Sequence, residues 1–490
     1  MPIKIAVIGA GSIGFTRGMM RDILCVPELQ DAQISFTDIN KRNLDMVTQL
    51  MDRDLKANKV PAKLTATTDR KRALEGADYV FNFTRIGGLD AFKLDVDIPL
   101  KYGIDQCVAD TLCAGGIMYG QRNIPQILAF CDDMREVSSE NVLFLNYANP
   151  NAMNTWAANE YGNINTVGLC HGVMGGHWQI TEVIKLLVNG KKKPADKGYV
   201  NITPKDVDII CAGINHQTWY IQVTHKGKDM LPFLLEAMEK HPEISKSEPC
   251  RIDVLRRFGY FCTESNGHLS EYLPWYRKNP EEMKKWIYTG TWIGGPTGGY
   301  LGACRESRDE YVKMYPKWLS GEAEYIKLGE RTSEHASYII EGLETGRRYR
   351  GHFNVENRGL ITNLPERCTV EIPCYVDGNG ISPAWVGPLP MACAATCRAS
   401  VSVQEMTVEA ALTGDRELVK LAVLHDPLTG AVCNTEQVWQ MCDEMFEALA
   451  PWLPQFNGEG RRWNDIPQPN NGVLRFPKAA DGWRPPALER

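Results

Sequence analysis

Long apolar runs are missing from this chain. No stretch approaches the roughly 20 consecutive apolar residues a bilayer-spanning helix needs, so a membrane partner is not expected. No charged-then-apolar leader precedes the strand pattern at residues 3–8, and no secretory signal is expected. Basic residues form no stripe with interleaved aromatics, and the formal net charge is −6. Nucleic acid is therefore not the expected partner, because phosphate binding needs clustered Lys and Arg. The 15 cysteines include no CxxC pair and no disulfide-like spacing; reduced thiols in the cytoplasm are the expectation. Internal repeats and low-complexity tracts are absent as well.

What is present is the composition of a soluble globular protein: 43% hydrophobic and 23% charged over 490 residues, too long for one ordinary core. The pattern of elements predicts an α/β fold, with a Rossmann dinucleotide-binding domain over residues 1–195. An α+β C-terminal domain over 196–490 would carry substrate, metal and oligomerisation surfaces.

The first strand, Ile5-Ala6-Val7-Ile8, is continuously apolar, as in a parallel strand buried on both faces. Gly9-Ala10-Gly11-Ser12-Ile13-Gly14 follows at once and opens a helical pattern. Gly9 permits the tight turn, Gly11 lets backbone approach a pyrophosphate beside Ser12, and Gly14 allows close helix packing. Taken alone, the motif also fits a glycine-rich loop of no special role. Context strengthens the nucleotide reading. A second strand at 33–36 leads to Asp38, 24 positions after Gly14 and near the ~20 expected of an acid that holds ribose hydroxyls and repels a 2′-phosphate. Asp38 could instead cap the helix beginning near Lys41, as could Asn40.

Strands at 77–83 and 141–145 run into Thr84-Arg85 and into Asn146-Tyr147-Ala148-Asn149-Pro150. Ligands gather at the carboxyl ends of such strands, so Arg85 is placed for an anion or a sugar hydroxyl and Asn149 for sugar hydroxyls. A surface arginine and a turn-forming Asn-Pro are the plainer alternatives. Residues 105–120, with Asp110-Thr111 and Gly115-Gly116, read as a loop over the site. The strand-like run 163–170 ends in Cys170-His171-Gly172-Val173. A distant strand at 207–212 ends in Gly213-Ile214-Asn215-His216. A thiolate at Cys170 and an imidazole at His216 suit Mn, Fe, Co or Ni better than Mg; a buried cysteine and a core histidine are the alternative. Residues 289–299 are too glycine-rich for a regular helix or strand and read as a mobile loop or lid. The tail 454–490, with Trp463, Phe476 and Trp483, reads as an extended arm.

With Gly9 to Gly14, Asp38, Asp110-Thr111, Asn146 to Pro150, Cys170-His171-Gly172-Val173 and Gly213-Ile214-Asn215-His216 in order, the chain resembles glycoside hydrolase family 4. The likeness covers roughly its whole length and is strongest to melibiase-type α-galactosidases. It implies a lactate/malate-dehydrogenase-like fold, NAD+ with a divalent metal, typically Mn2+, and a homodimer or homotetramer. It also implies a route outside the two-carboxylate mechanism: C3 oxidation, C2 deprotonation, elimination of the C1 oxygen, then water addition and reversal. By this resemblance Cys170 and His216 ligate the metal, Asn149 grips sugar hydroxyls, and Asp110 and Arg85 line the substrate pocket. His171 protonates the leaving oxygen, and Tyr272 is the closest match for the C2 base, with Glu264 and His268 as other candidates. Two departures bear on the glycone. Gly172 stands where melibiase-type members usually have Ser and α-glucuronidases have Gly, and Arg85 stands where many have Gln. An anionic glycone or an α-glucoside therefore remains an alternative substrate, and a 2-hydroxy-acid dehydrogenase or a silent NAD-binding regulator an alternative function.

Overall fold

A computed structural model describes residues 2–329 and 331–457. The arm expected over 454–490 thus falls almost wholly outside the described residues, apart from a 3-10 turn at Pro454–Phe456. Among the described residues no helix is long and apolar enough to cross a membrane.

Six short strands build the first half: β1 (Lys4–Ile8), β2 (Gln33–Thr37), β3 (Lys63–Thr67), β4 (Tyr79–Asn82), β5 (Leu143–Asn146) and β6 (Thr166–Gly168). They pair in parallel in the order β3-β2-β1-β4-β5-β6, the arrangement of two mononucleotide-binding halves. Parallel strands need helical crossovers on both faces, so apart from the exposed edge strand β3 their side chains are largely sealed from water. Ile5, Val7, Phe36, Phe81 and Leu145 have no or almost no exposure. Each such burial contributes roughly 1.5–3 kcal/mol, and together they hold the strand ends in fixed register.

The same sheet continues through the second half. It gains β7 (Val207–Ile214), β8 (Gln217–His225), β9 (Lys228–Asp229), β10 (Phe261–Cys262), β11 (Tyr349–Glu356), β12 (Thr369–Asp377) and β13 (Gly380–Pro383), all antiparallel to their partners. One row of paired residues crosses the junction: Gly168 faces Asn354, Asn354 faces Glu371, and Glu371 faces Gly213. That row brings the ends of β6 and β7 together although they are distant in sequence. Cys170 lies two residues past Gly168, and His216 three past Gly213.

Two expected loops differ from the reading above. Only the first part of 105–120 is irregular; a helix of 25 residues begins at Cys113. Residues 289–299 contain a 3-10 turn, Trp292–Gly294, and are tied down rather than free. The Gly294 carbonyl accepts from Asn266, the Gly295 carbonyl from Arg277, and the Gly298 amide donates to the Gln106 carbonyl.

Candidate active site

The strand order reverses between β1 and β4, and there the glycine turn sits. Gly9 has a φ of +80° and approaches β4's exit so closely that a Cβ would come within 2.9 Å of the Thr84 nitrogen. A Cβ on Gly11 would meet Asp38 Oδ2 at 2.7 Å. The Gly11 amide donates to that carboxylate at 2.8 Å and the Asn40 amide donates to its other oxygen at 2.7 Å. The helix Lys41–Asn58 is capped by Asn40, whose side chain accepts from Asn43 N, so Asp38 is not the cap. The helix Ile13–Leu24 opens at Ser12 with no side-chain cap and no acidic residue in its first turn. Its first amides are free for an anion. Ile39, fully exposed beside Asp38, offers an apolar surface to a planar base. These features fit a dinucleotide with a free ribose 2′-hydroxyl.

Cys170, His216 and Glu264 offer donor atoms that all lie within 4.8 Å of one another. Cys170 Sγ accepts the Gly172 amide at 3.4 Å at the start of the helix Gly172–Asn189 and stands 3.7 Å from Glu264 Oε1. His216 sits in the β7–β8 turn with a φ of +65°, a left-handed conformation that only a determining environment holds in a non-glycine residue. Burial pushes its pKa down to about 4, so the ring is neutral at physiological pH and carries a lone pair for a metal. Burial would raise the Glu264 carboxyl, but the His216 and His268 imidazoles hold it well below the usual carboxylate range. A soft sulfur and a neutral imidazole suit a divalent transition metal.

Behind His216 stands a polar chain. Thr111 Oγ1 lies 3.0 Å from Asp110 Oδ1 and 3.1 Å from His216 Nδ1. A carboxylate can only accept, so the hydroxyl donates to Asp110 and accepts from Nδ1–H, leaving Nε2 for the metal. Asp110, wholly buried, also accepts from Asn149 Nδ2 at 3.1 Å and from Arg85 at 2.8 Å. The Arg85 guanidinium lies over Phe92, Tyr119 and Tyr300, at 4.3, 5.0 and 5.4 Å from their ring centres. Asp110, Arg85 and Asn149 are thus brought together with His216.

The candidate acid and bases lie around the same point. His171 stacks edge-on against Phe15 of the dinucleotide helix at 6.1 Å and is bonded to Glu334 through Nε2. Desolvation opposes the charged ring, but the Glu334 carboxylate outweighs it and raises the His171 pKa. The helix Asn266–Tyr272 places His268 and Tyr272 one turn apart, and Glu264 precedes His268 by the same interval. His268 packs on His216, ring centres 4.4 Å apart, and edge-on to Tyr272 at 5.5 Å. Its Nδ1 is 3.6 Å from Glu264 Oε2. His268 Nε2 and the Tyr272 hydroxyl are buried without a hydrogen-bond partner among the described residues. Orphaned polar atoms of this kind call for a ligand.

Sequence reasoning did not assign four contributors. Thr111 fixes the tautomer of His216, Glu334 holds His171, and Gly172 leaves space beside Glu264. Glu271 accepts the amides of Cys107, Val108 and Ala109, tying the helix Asn266–Tyr272 to the segment that carries Asp110. Only the four-residue spacing of His268 and Tyr272 is readable from the sequence as one helical face; Glu264 lies just ahead of that helix.

The family model described as Family 4 glycosyl hydrolase matches residues 4–186, and that of the Family 4 glycosyl hydrolase C-terminal domain matches residues 211–429. The chain is 55% identical over 454 residues to an alpha-galactosidase of Rhizobium meliloti (strain 1021), covering 92% of this chain and 89% of that protein. It is 33% identical to an alpha-galactosidase of Bacillus subtilis (strain 168), covering 92% and 99%. The fold is similar, with a TM-score of 0.72 at 20% identity, to a 6-phospho-alpha-glucosidase from gut microorganisms solved with NAD and Mn2+, over 93% of this chain and 99% of that one. The chain belongs to glycosyl hydrolase family 4.

Proposed function

We propose that the protein hydrolyses α-galactosides, with NAD+ held by Gly9, Gly11, Ser12, Gly14 and Asp38 and Mn2+ held by Cys170 and His216. When bound, the pair supplies a hydride acceptor for sugar C3 and a Lewis acid for the C2 and C3 oxygens. The observation that carries this reading is the meeting of the two sites: the Cys170–His216 pair lies beside His171, which packs on the first turn of the dinucleotide helix. A 2-hydroxy-acid dehydrogenase has no use for this thiol–imidazole pair.

The chain's own groups do the proton work. Tyr272 would take the C2 proton only as its tyrosinate; burial and the Glu264 carboxylate push its pKa up, so the phenolic proton must first leave the site, and His268 lies against its ring. His171, whose charged form the Glu334 carboxylate favours, gives a proton to the leaving glycosidic oxygen. Asn149 and Asp110 orient sugar hydroxyls. Arg85 favours a neutral glycone, because its guanidinium already meets Asp110 and sits inside an aromatic box. An arginine committed in this way is a poor partner for a sugar carboxylate. Fifteen unpaired thiols, Cys170 among them, support a reducing compartment, the cytoplasm.

The test is hydrolysis of p-nitrophenyl α-D-galactopyranoside with and without Mn2+, NAD+ and a reductant, beside the α-galacturonide and the α-glucoside. Hydrolysis of the galactoside requiring all three additions is expected, with a primary isotope effect for sugar deuterated at C2 or C3. Net accumulation of NADH without hydrolysis would overturn the reading, and preference for the galacturonide would overturn the neutral glycone.

A further inference from the structure

We infer that Glu264 is a third protein ligand of the metal, admitted to the site by the missing side chain of Gly172. This rests on the metal-dependent reading above and gives Glu264 a role other than the C2 base. Its carboxylate faces the two other donors at once: Oε1 is 3.7 Å from Cys170 Sγ, and one oxygen completes the group whose atoms lie within 4.8 Å of one another. Among the described residues no guanidinium or ammonium pairs with it; its ion-pair neighbour is His268 at 3.6 Å. The Cys170 thiol donates toward this carboxylate, and a cation that displaces the thiol proton would sit between two anionic donors. A thiolate, a carboxylate and a neutral imidazole balance a dication, and the added oxygen shifts the donor set toward Mn2+.

Gly172 explains how the carboxylate gets there. A Cβ at this position would lie 2.2 Å from Glu264 Oε1 and 3.2 Å from its carboxyl carbon, so a side chain here requires the Glu264 carboxylate to swing away. Meanwhile the Gly172 amide donates to Cys170 Sγ. The residue thus does two things at the site: its backbone serves the sulfur and its lack of a side chain makes room for the oxygen. A serine here would push Glu264 away and leave a two-donor site. Gly172 therefore bears on the metal, not on the charge of the glycone.

The experiment is a Mn2+ titration of the full-length protein by electron paramagnetic resonance and calorimetry, without NAD+ or substrate, on four proteins: wild type, Glu264→Gln, Gly172→Ala and the double variant. Glu264→Gln should raise the Mn2+ Kd by about 10- to 100-fold or more, since even outer-sphere partners cost that much. Gly172→Ala should weaken Mn2+ similarly while leaving Tm unchanged or higher, because alanine is the better helix former. In the double variant the two losses should not add. Glu264→Gln binding Mn2+ within about threefold of wild type would overturn the inference, as would full additivity or a wild type that binds no Mn2+. A wild type that binds Mn2+ through Glu264 yet leaves α-galactosides untouched would keep this inference and discard the proposed activity.

Discussion

Removing the Thr111 hydroxyl tests whether the orientation of His216 matters to the metal. In Thr111→Val the side-chain volume is kept and two hydrogen bonds are lost: His216 Nδ1–H to Oγ1, at 3.1 Å, and Oγ1–H to Asp110, at 3.0 Å. Thr111 is 1% exposed and His216 5%, so no bulk water replaces them. The imidazole then has two choices. It can keep its proton on Nδ1 and leave a buried donor unmet, at about 1–3 kcal/mol. Or it can move the proton to Nε2 and block the nitrogen that faces the metal. Either way Mn2+ affinity falls by about 10- to 100-fold, as for other outer-sphere partners of metal-bound histidines, or about 1.4–2.7 kcal/mol. Thr111→Ser, which keeps the hydroxyl, should stay within about threefold of wild type. NAD+ affinity should not change in either variant, because the glycine turn and Asp38 are untouched. Calorimetric Mn2+ titration reads the first effect and fluorescence titration with NAD+ the second. A Thr111→Val protein binding Mn2+ as tightly as wild type would refute the relay and with it the Nε2 assignment.

Three other expectations follow from the same geometry. Asp38→Ala should weaken NAD+ by about 10-fold or more, the range of one hydrogen bond to a charged group, and narrow its preference over NADP+, both measured by fluorescence titration. Burial, reinforced by Glu264, holds the Cys170 thiol pKa well above its ordinary value, whereas His216 titrates only at about 4. The metal-free protein at pH 7 therefore carries a thiol and a neutral imidazole. Mn2+ binding should release about one proton and tighten roughly 10-fold per pH unit between about pH 6 and 8, shown by calorimetry in buffers of different ionisation enthalpy. Asp95→Ala strands Arg122, both side chains being 1% exposed, and should cost about 3–5 kcal/mol in a denaturant titration.

How far such a site can be read from sequence depends on whether the relation is local. The turn Gly9–Gly14 follows its strand directly, and His268 and Tyr272 stand one helical turn apart, so both are local relations. No period connects Thr111 to His216 or Glu271 to Cys107, separated by 105 and 164 residues; their pairing exists only because the sheet runs on from β6 to β7. Glycine shows the same limit most sharply. Gly115-Gly116 and weak periodicity read as a loop over 105–120, and five glycines between 290 and 299 as a lid, on the premise that glycine frees the backbone. A Cβ on Gly115 would meet the Asp95 carbonyl at 2.7 Å, one on Gly116 the Thr111 carbon at 2.5 Å, and one on Gly294 the Tyr288 carbonyl at 2.1 Å. These residues are glycine because another part of the chain is already there, which is the opposite of mobility. Gly172 is the functional instance of the same rule. From the sequence its absent side chain looked like a mark of substrate class. In the fold it is the space that a carboxylate from 92 residues further along occupies beside Cys170.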